Sequence, residues 1–572
     1  MIDFNRNNLD LGASPYLHQH KDNPINWQEW KEEVLQYAKD NNKLIFLSIG
    51  YSTCHWCHAM AGEAFQDDEV ARYLNTHFVS IKVDREQRPD IDGFFMDFIS
   101  EVGGQGGWPL NVFLRPNLSP IFALTYAPVR EKYGRPSFLS VLKGVRKMET
   151  SYEYVEEEGH KEEERAPSLE EIIDIITSYF DKEYGGFGRD EKFPPHSTLL
   201  FLLSYYSVKK DAGILPLIEE TLDSIALGGL HDHLQGGFFR YCIDREWKIP
   251  HFEKMLYDQA LLLWVFSSAY KVLKKEEYRQ AANKIISCLE ETFQEGSLFY
   301  TAQDADTLHR EGATYLWSWE ELTKALSAAE LGLLSTVYQI SSEGNFYGKI
   351  HLNRKNFMPV FSIEEKLLGI RNSRPHPFVD KKILTSWNAL TGIGLIMHWR
   401  ATEERSSLYK AQNLLKELLD LHYRNGDLAH SSLDGNLQNG EFMGDYASLL
   451  LFVTYLHEEG GEYSNLMNRL LDKLISFKGR RWIESRNSDF REVGALPYDT
   501  PVPSSISMAE LAILRTDIFS DGYLRPLNFT DPVSCDFHNM VSLFTKGFLQ
   551  VVESDSPLSW KDLPLNAVQL KG

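Results

Sequence analysis

Cys54-His55-Trp56-Cys57 sets two thiols three residues apart, with imidazoles at His55 and His58. A thiol attacks as its thiolate, so its pKa must be lowered; a helix start does this with unpaired N–H groups and a positive dipole end. The apolar run Lys43-Leu44-Ile45-Phe46-Leu47-Ser48-Ile49 reads as a buried strand, and a helix is expected from about Cys57 to Phe65. Cys54 at that junction is the expected attacking thiol, held exposed, and Cys57 the resolving thiol that releases a mixed disulfide. A protonated His55 or His58 would favour the thiolate further. Trp108-Pro109-Leu110 puts a proline just before another apolar strand, where a cis peptide would lie against the dithiol. The catalytic candidates are therefore Cys54, Cys57, His55, Trp56 and Pro109, and the chemistry is thiol–disulfide exchange.

Two other readings stay open. Cys-x-x-Cys is also a zinc-ligand spacing, and His55 and His58 would complete half a site. The sequence holds no second such pair, and His231 and His233 could join only from another domain, so no metal is expected. The alternative is a vestigial structural pair.

Polar groups gather again at 228–258. His231, Asp232 and His233 precede a Gly-Gly turn, and Pro250-His251-Phe252-Glu253-Lys254 leads toward Tyr257 and Asp258. On a helix starting near Phe252, Glu253 and Tyr257 share a face. Asp304, Asp306, Trp387, Asn388 and Asp445 are further candidates, all at loops or helix starts. Aromatic platforms with carboxylates, imidazoles and amides suit a carbohydrate-like ligand. His231, His233 and His251 could serve epimerisation as bases, and Glu253 with Asp304 could serve glycoside hydrolysis. For the His231–His233 segment structural hydrogen bonding is the expected role, with ligand binding and metal ligation as the alternatives. His251-Phe252-Glu253-Lys254-Met255 is not a zinc-peptidase motif.

The elements that must position these groups follow from hydrophobic period. Trp27–Asp40 reads as an amphipathic helix, and helices are expected over Asp68–Thr76 and Pro89–Ser100. Strands are expected at Phe78–Val83 and Trp108–Leu114. Strand–helix alternation predicts an α/β layer with parallel pairing. After an acidic linker, 149–167, long helices alternate with Gly-aromatic turns: Leu169–Phe180, Leu199–Ser207, Lys254–Val272, Tyr278–Phe293, Asn388–Thr402 and Leu408–Tyr423. Stacked helical hairpins, closed into a ring, produce such a pattern. The expected domains are 1–148, the linker 149–167, and 168–572.

Composition narrows the partners. A net charge of −22 over 572 residues argues against nucleic acid and anionic membrane. Five cysteines, three of them scattered, do not make a disulfide framework. With no signal-peptide run at the start and no long apolar span, the expected location is cytoplasmic.

Tyr51-Ser52-Thr53-Cys54-His55-Trp56-Cys57-His58-Ala59-Met60, 78–92 (FVSIKVDREQRPDID) and 103–114 (GGQGGWPLNVFL) resemble the thioredoxin-domain family that includes spermatogenesis-associated protein 20 and bacterial YyaL-type proteins. Two later stretches, 236–260 and 381–390, continue the resemblance, which runs from about Asn23 to about Asp445. This sequence departs from the family at Ala61-Gly62-Glu63-Ala64-Phe65 and Leu124-Thr125-Tyr126-Ala127-Pro128. The resemblance implies a multidomain α/β plus all-α chain, a thioredoxin-like domain followed by an (α/α)6 toroid similar to six-hairpin glycosidases and N-acylglucosamine 2-epimerases. The expected function is thiol–disulfide exchange with a protein disulfide or a reductase as partner, a barrel for a carbohydrate-like molecule, and no cofactor. The alternatives are a sugar epimerase, isomerase or glycosidase with a scaffold thioredoxin domain, and a non-enzymatic interaction protein.

Overall fold

A computed structural model describes residues 2–132, 134–148, 167–486, 489–520 and 535–571. The chain divides into two compact units, Met1–Glu164 with Ser485–Val493, and Arg165–Glu484 with Gly494–Gly572. Residues 149–166 of the expected linker and the turn at 521–524 lie outside the described residues.

The first unit runs β1 (Trp27–Glu29), α1 (Glu32–Asp40), β2 (Leu44–Gly50), α2 (His55–Gly62), α3 (Asp68–His77), β3 (Phe78–Asp84), α4 (Pro89–Glu101), β4 (Leu110–Leu114), β5 (Pro120–Leu124) and α5 (Phe138–Met148). The sheet order is β1-β3-β2-β4-β5. β2 and β3 are buried along their whole length; β2 is accordingly almost continuously apolar, whereas β3 alternates and buries the polar Ser80, Lys82 and Asp84 as well.

Three expectations are corrected here. Pairing is parallel for β1–β3 and β3–β2 but antiparallel for β2–β4 and β4–β5. The short loop joining β4 to β5 turns a hairpin and cannot make a crossover. The predicted helix over Trp27–Asp40 begins only at Glu32. Trp27-Gln28-Glu29 instead pairs with Ser80–Lys82, and Trp27 is buried against Phe46 and Phe65; tertiary pairing overrides the local period. Ser485–Val493, expected within the helical half, belongs to this unit. Arg88 holds Asp90 at 2.8 Å and Asp489 at 2.7 Å, and the Phe490 ring packs on Trp30 and Phe94.

The second unit contains, in chain order, α6 (His196–Lys209), α7 (Leu215–Leu227), α8 (Leu256–Leu273), α9 (Glu276–Cys288), α10 (Thr385–Thr402), α11 (Arg405–His422), α12 (Met443–Glu458), α13 (Ser464–Ser476), α14 (Ser505–Ser520) and α15 (Asp536–Leu543), with shorter helices and hairpins between. Helices α6, α8, α10, α12, α14 and α15 pack each on the next, and α15 closes on α6. This inner ring makes the unit an (α/α)6 toroid.

Sequence explains which helices are inner. α8, α10 and α12 are buried on nearly every face, whereas α11 buries Ser407, Ala411, Leu414, Leu415, Leu418 and His422, a single stripe. Gly394 lets α10 approach α8: a Cβ there would lie 2.8 Å from the Ala260 carbonyl. Gly392 does the same toward Phe452 of α12.

Candidate functional site

Cys54 is the N-cap of α2. Its backbone is extended, and its Sγ accepts from the Cys57 N–H at 3.2 Å. The two cysteines form a disulfide. Contrary to the expectation of an exposed pair, Cys54 retains 3% and Cys57 1% of its surface, while Trp56 between them is 45% exposed. The burial has a local cause: Tyr51, Ser52 and Thr53 before the pair are themselves buried, and the helix start is pulled onto the end of β2. The His58 Nε2–H donates to the Ser52 carbonyl at 2.8 Å, and Gln19 donates to the same oxygen at 2.9 Å. His55 lies edge-on to Trp56, and the Trp56 ring meets Tyr126 at 5.1 Å.

The Trp108–Pro109 peptide is cis. Leu110 pairs with Ile49, so Pro109 stands at the end of β2 from which the Cys54 turn departs. Trp108 is clamped by its Nε1–H to Asp92 Oδ1 at 2.7 Å and by the Arg85 guanidinium 3.9 Å over its ring. Behind the pair lies buried Lys82. Its Nζ donates to Ser48 Oγ at 3.1 Å and faces the Phe65, Trp27 and Tyr16 rings at 4.4, 4.7 and 5.2 Å. Burial pulls this ammonium well below its ordinary pKa.

In the toroid, the N-terminal ends of the inner helices meet around one mouth. His196 of α6 lies 3.4 Å from Asp258 of α8, and Tyr257 of α8 meets Trp387 of α10 edge-on at 4.9 Å. The Ser386 N–H of α10 donates to Asp445 of α12 at 3.2 Å. The Gly444 N–H of α12 donates at 3.1 Å to Glu484, which also takes the Ser505 hydroxyl of α14. Asp499 accepts from the Ser504 N–H at 2.9 Å and the Phe537 N–H at 3.0 Å, joining α14 to α15. Thr198 of α6 donates to Asp536 of α15 and completes the circle.

A cavity of about 370 Å³ opens in one sector of this mouth, lined by His196, Arg240, Tyr257, Asp258, Asp499 and Asp536 among others. Arg240 donates to Glu253 at 2.9 Å and to the Tyr257 hydroxyl at 3.0 Å. Desolvation pushes the Asp258 carboxyl well above its ordinary range and Asp536 up to about 6. It pushes His196 down to about 3.

Residues 6–172 match the family model Thioredox_DsbH, described as a protein of unknown function, DUF255. An uncharacterized Caenorhabditis elegans protein, B0495.5, is 34% identical, over 89% of this chain and 80% of that one. Spermatogenesis-associated protein 20 of Mus musculus is 32% identical, over 80% of this chain and 68% of its own. The chain belongs to the spermatogenesis-associated protein 20 family. Its structure is similar, with a TM-score of 0.43 at 12% identity, to cellobiose 2-epimerase from Spirochaeta thermophila, over 66% of this chain and 81% of that one.

In this spermatogenesis-associated protein 20 relative the candidate barrel residues do not form one group. Tyr257 and Asp258 line the cavity, and Glu253 reaches it through Arg240. Glu253 and Tyr257 do not share a helical face as expected, because α8 starts only at Leu256 and Lys254-Met255 is a strand. Trp387 and Asp445 sit elsewhere on the mouth, Asp445 with His430 Nδ1 at 2.6 Å. Asn388 is structural: its amide caps the Phe299 N–H and carbonyl at 2.9 and 3.0 Å. His231 and His233 line a separate cavity of about 270 Å³, each donating to a backbone carbonyl, of Ala226 and Gly228. His251 faces Glu311 at 2.9 Å, and Asp304 caps the Asp306 N–H at 3.0 Å. Sequence reasoning missed His196, Arg240, Asp499 and Asp536. The first follows Pro194-Pro195 at a helix start, a legible signal, and Asp536 likewise opens α15; Arg240 and Asp499 sit in irregular segments without a period.

No helix among the described residues is long and apolar enough to cross a membrane.

Proposed function

We propose that this chain is a thiol–disulfide oxidoreductase acting through Cys54 and Cys57. The observation that carries the reading is the position of Cys54 as the N-cap of α2, with its sulfur against the Cys57 N–H. That N–H and the dipole favour a sulfur anion at Cys54. In the reduced protein the Cys54 thiolate attacks a substrate disulfide, whose departing sulfur takes a proton. Cys57 then attacks Cys54, the second substrate thiol leaves, and the protein's own disulfide remains. The substrate gains two electrons, and an external dithiol reductant restores the pair. Trp56 offers an exposed apolar contact beside the pair for a substrate polypeptide, with Pro109 at the strand end bordering the approach. Cys242 and Cys288 are buried as free thiols, which suits a reducing, cytoplasmic setting.

Cys57→Ser should accumulate reductant-sensitive adducts through Cys54. Equal trapping by Cys54→Ser, together with full disulfide-reducing activity in the double variant, overturns the reading.

Burial of both sulfurs favours a second reading, in which the pair is a staple and the toroid carries the activity on a carbohydrate-like ligand, as an epimerase, isomerase or glycosidase. Turnover of a sugar that survives loss of both cysteines would select it. If neither assay shows turnover and a protein co-purifies, the chain acts as an interaction protein.

A further inference from the structure

Among the described residues, two buried polar atoms at the mouth of the toroid find no hydrogen-bond partner. His196 Nε2 lies 3.4 Å from Asp258 Oδ1 but makes no hydrogen bond there, and Asp258 Oδ2 has no hydrogen-bond partner among the described residues. His196 is 94% and Asp258 98% buried (6% and 2% exposed). Both belong to the lining of the 370 Å³ cavity. A buried polar atom without a partner forfeits its hydration with nothing in return, so two of them on one cavity wall point to a ligand that completes them.

We propose that this cavity, where the N-terminal ends of α6, α8 and α15 converge, binds an uncharged polyhydroxylated molecule of monosaccharide size, with Asp258 donating a hydrogen bond to it and His196 placed beside the same ligand oxygen. The inference rests on reading the toroid as a ligand-binding body and names its ligand class; it does not depend on the dithiol.

Charge argues for the class. Arg240, the guanidinium on this wall, is occupied by Glu253 and Tyr257, which disfavours an anionic ligand. Burial, against the pull of the Arg240 guanidinium and with a smaller push from Glu253, opposes ionisation of Asp258, and burial with the neighbouring Asp499 opposes that of Asp536. Carboxyls in that condition are poor cation receptors and good neutral hydrogen-bond donors. Hydroxyl groups, which both donate and accept, suit a wall of carboxyl, imidazole and the Thr198 hydroxyl. Phe193, stacked on Tyr241 at 4.5 Å, and Pro501 supply the apolar edge that a sugar ring's C–H face covers. The volume lies in the range of small-molecule sites.

The test titrates the full chain with D-mannose, D-glucose and N-acetylglucosamine as neutral probes, spermidine as the cation and glucuronate as the anion. Calorimetry and the thermal midpoint are the readouts. At least one neutral sugar should bind and raise the midpoint, and the charged probes should not. Asp258→Asn keeps a neutral donor and should hold affinity within about threefold, while Asp258→Ala and His196→Ala should lose tenfold or more. A variant that fails to fold is replaced by difference infrared spectroscopy of the wild type. There a protonated carboxyl band at neutral pH, shifted by the sugar, is the expected signal, and its absence is contrary. Spermidine binding that Asp258→Asn abolishes overturns the proposal, as does the absence of any shift with the three sugars. The Cys54→Ser/Cys57→Ser double variant should bind the sugar as the wild type does, which separates this outcome from that of the dithiol reading; loss of binding in it counts against an independent site.

Discussion

Gly50 and Cys57 are packed so closely that a Cβ added to Gly50 would lie 2.7 Å from Cys57 Sγ, and the Tyr16 hydroxyl presses on the same point. The last residue of β2 therefore sets how near the resolving sulfur stands to the sheet. Gly50→Ala should destabilise the first unit by about 1–3 kcal/mol through overpacking and displace Cys57. Urea unfolding of the oxidised protein and the rate of its reduction by dithiothreitol would register this; wild-type values for both would refute the close approach.

Lys82 carries a different liability. Its pKa is lower folded than unfolded, so below the unfolded value of about 10.4 folding must oppose protonation, and stability should rise as pH climbs toward it. Lys82→Met should leave stability unchanged or raise it by about 1 kcal/mol and flatten that alkaline rise. A loss well beyond about 1 kcal/mol would mean that the three rings around Nζ hold a charged ammonium.

Asp232, between the two candidate histidines, holds Lys254 at 2.8 Å and Arg371 at 2.7 Å in the interior. The two cations depress its carboxyl far below the usual range. Asp232→Asn strands both cations and should cost about 3–5 kcal/mol, measured as the unfolding midpoint of the toroid. A cost under about 1 kcal/mol would contradict the buried network.

The toroid should be acid-sensitive. Burial holds His231, His351, His398 and His422 near 4, below the unfolded value of about 6.5. The unfolded chain thus binds more protons between those limits; stability is complete above about 6.5 and is lost as pH falls toward 4. Asp536, raised to about 6, and Asp258, raised well above its ordinary range, act in the opposite sense over part of this window, but His196 and His233, also held below the ordinary imidazole value, add to the four rings. The thermal midpoint should fall from pH 7 to 4.5, and His422→Gln should make the fall shallower. A flat profile would show that these rings are solvated.

Much of the first unit was legible in its residues. The apolar run at Leu44–Gly50 announces a strand buried on both faces, whereas the alternation of Phe78–Asp84 announces a strand but not the burial of its polar face, and Asp67 before Asp68–His77 caps the helix by accepting from two backbone N–H groups at 2.9 Å. The Cys54–Cys57 spacing alone put both sulfurs at a helix start. In the toroid the periods gave helices and their order, since a helix buried all round reads differently from one with a single stripe.

Only the folded chain decided the rest. Trp27–Glu29 became a strand because β3 offered an unpaired edge, and Ser485–Val493 joined the first unit because Phe490 and Asp489 found partners hundreds of residues away. Whether the thiols were exposed, and which polar residues shared a cavity, depended on the same long-range packing. Local pattern reports which face of an element is apolar; it carries no distance between His196 and Asp258, which the packing of α6 on α8 brings together.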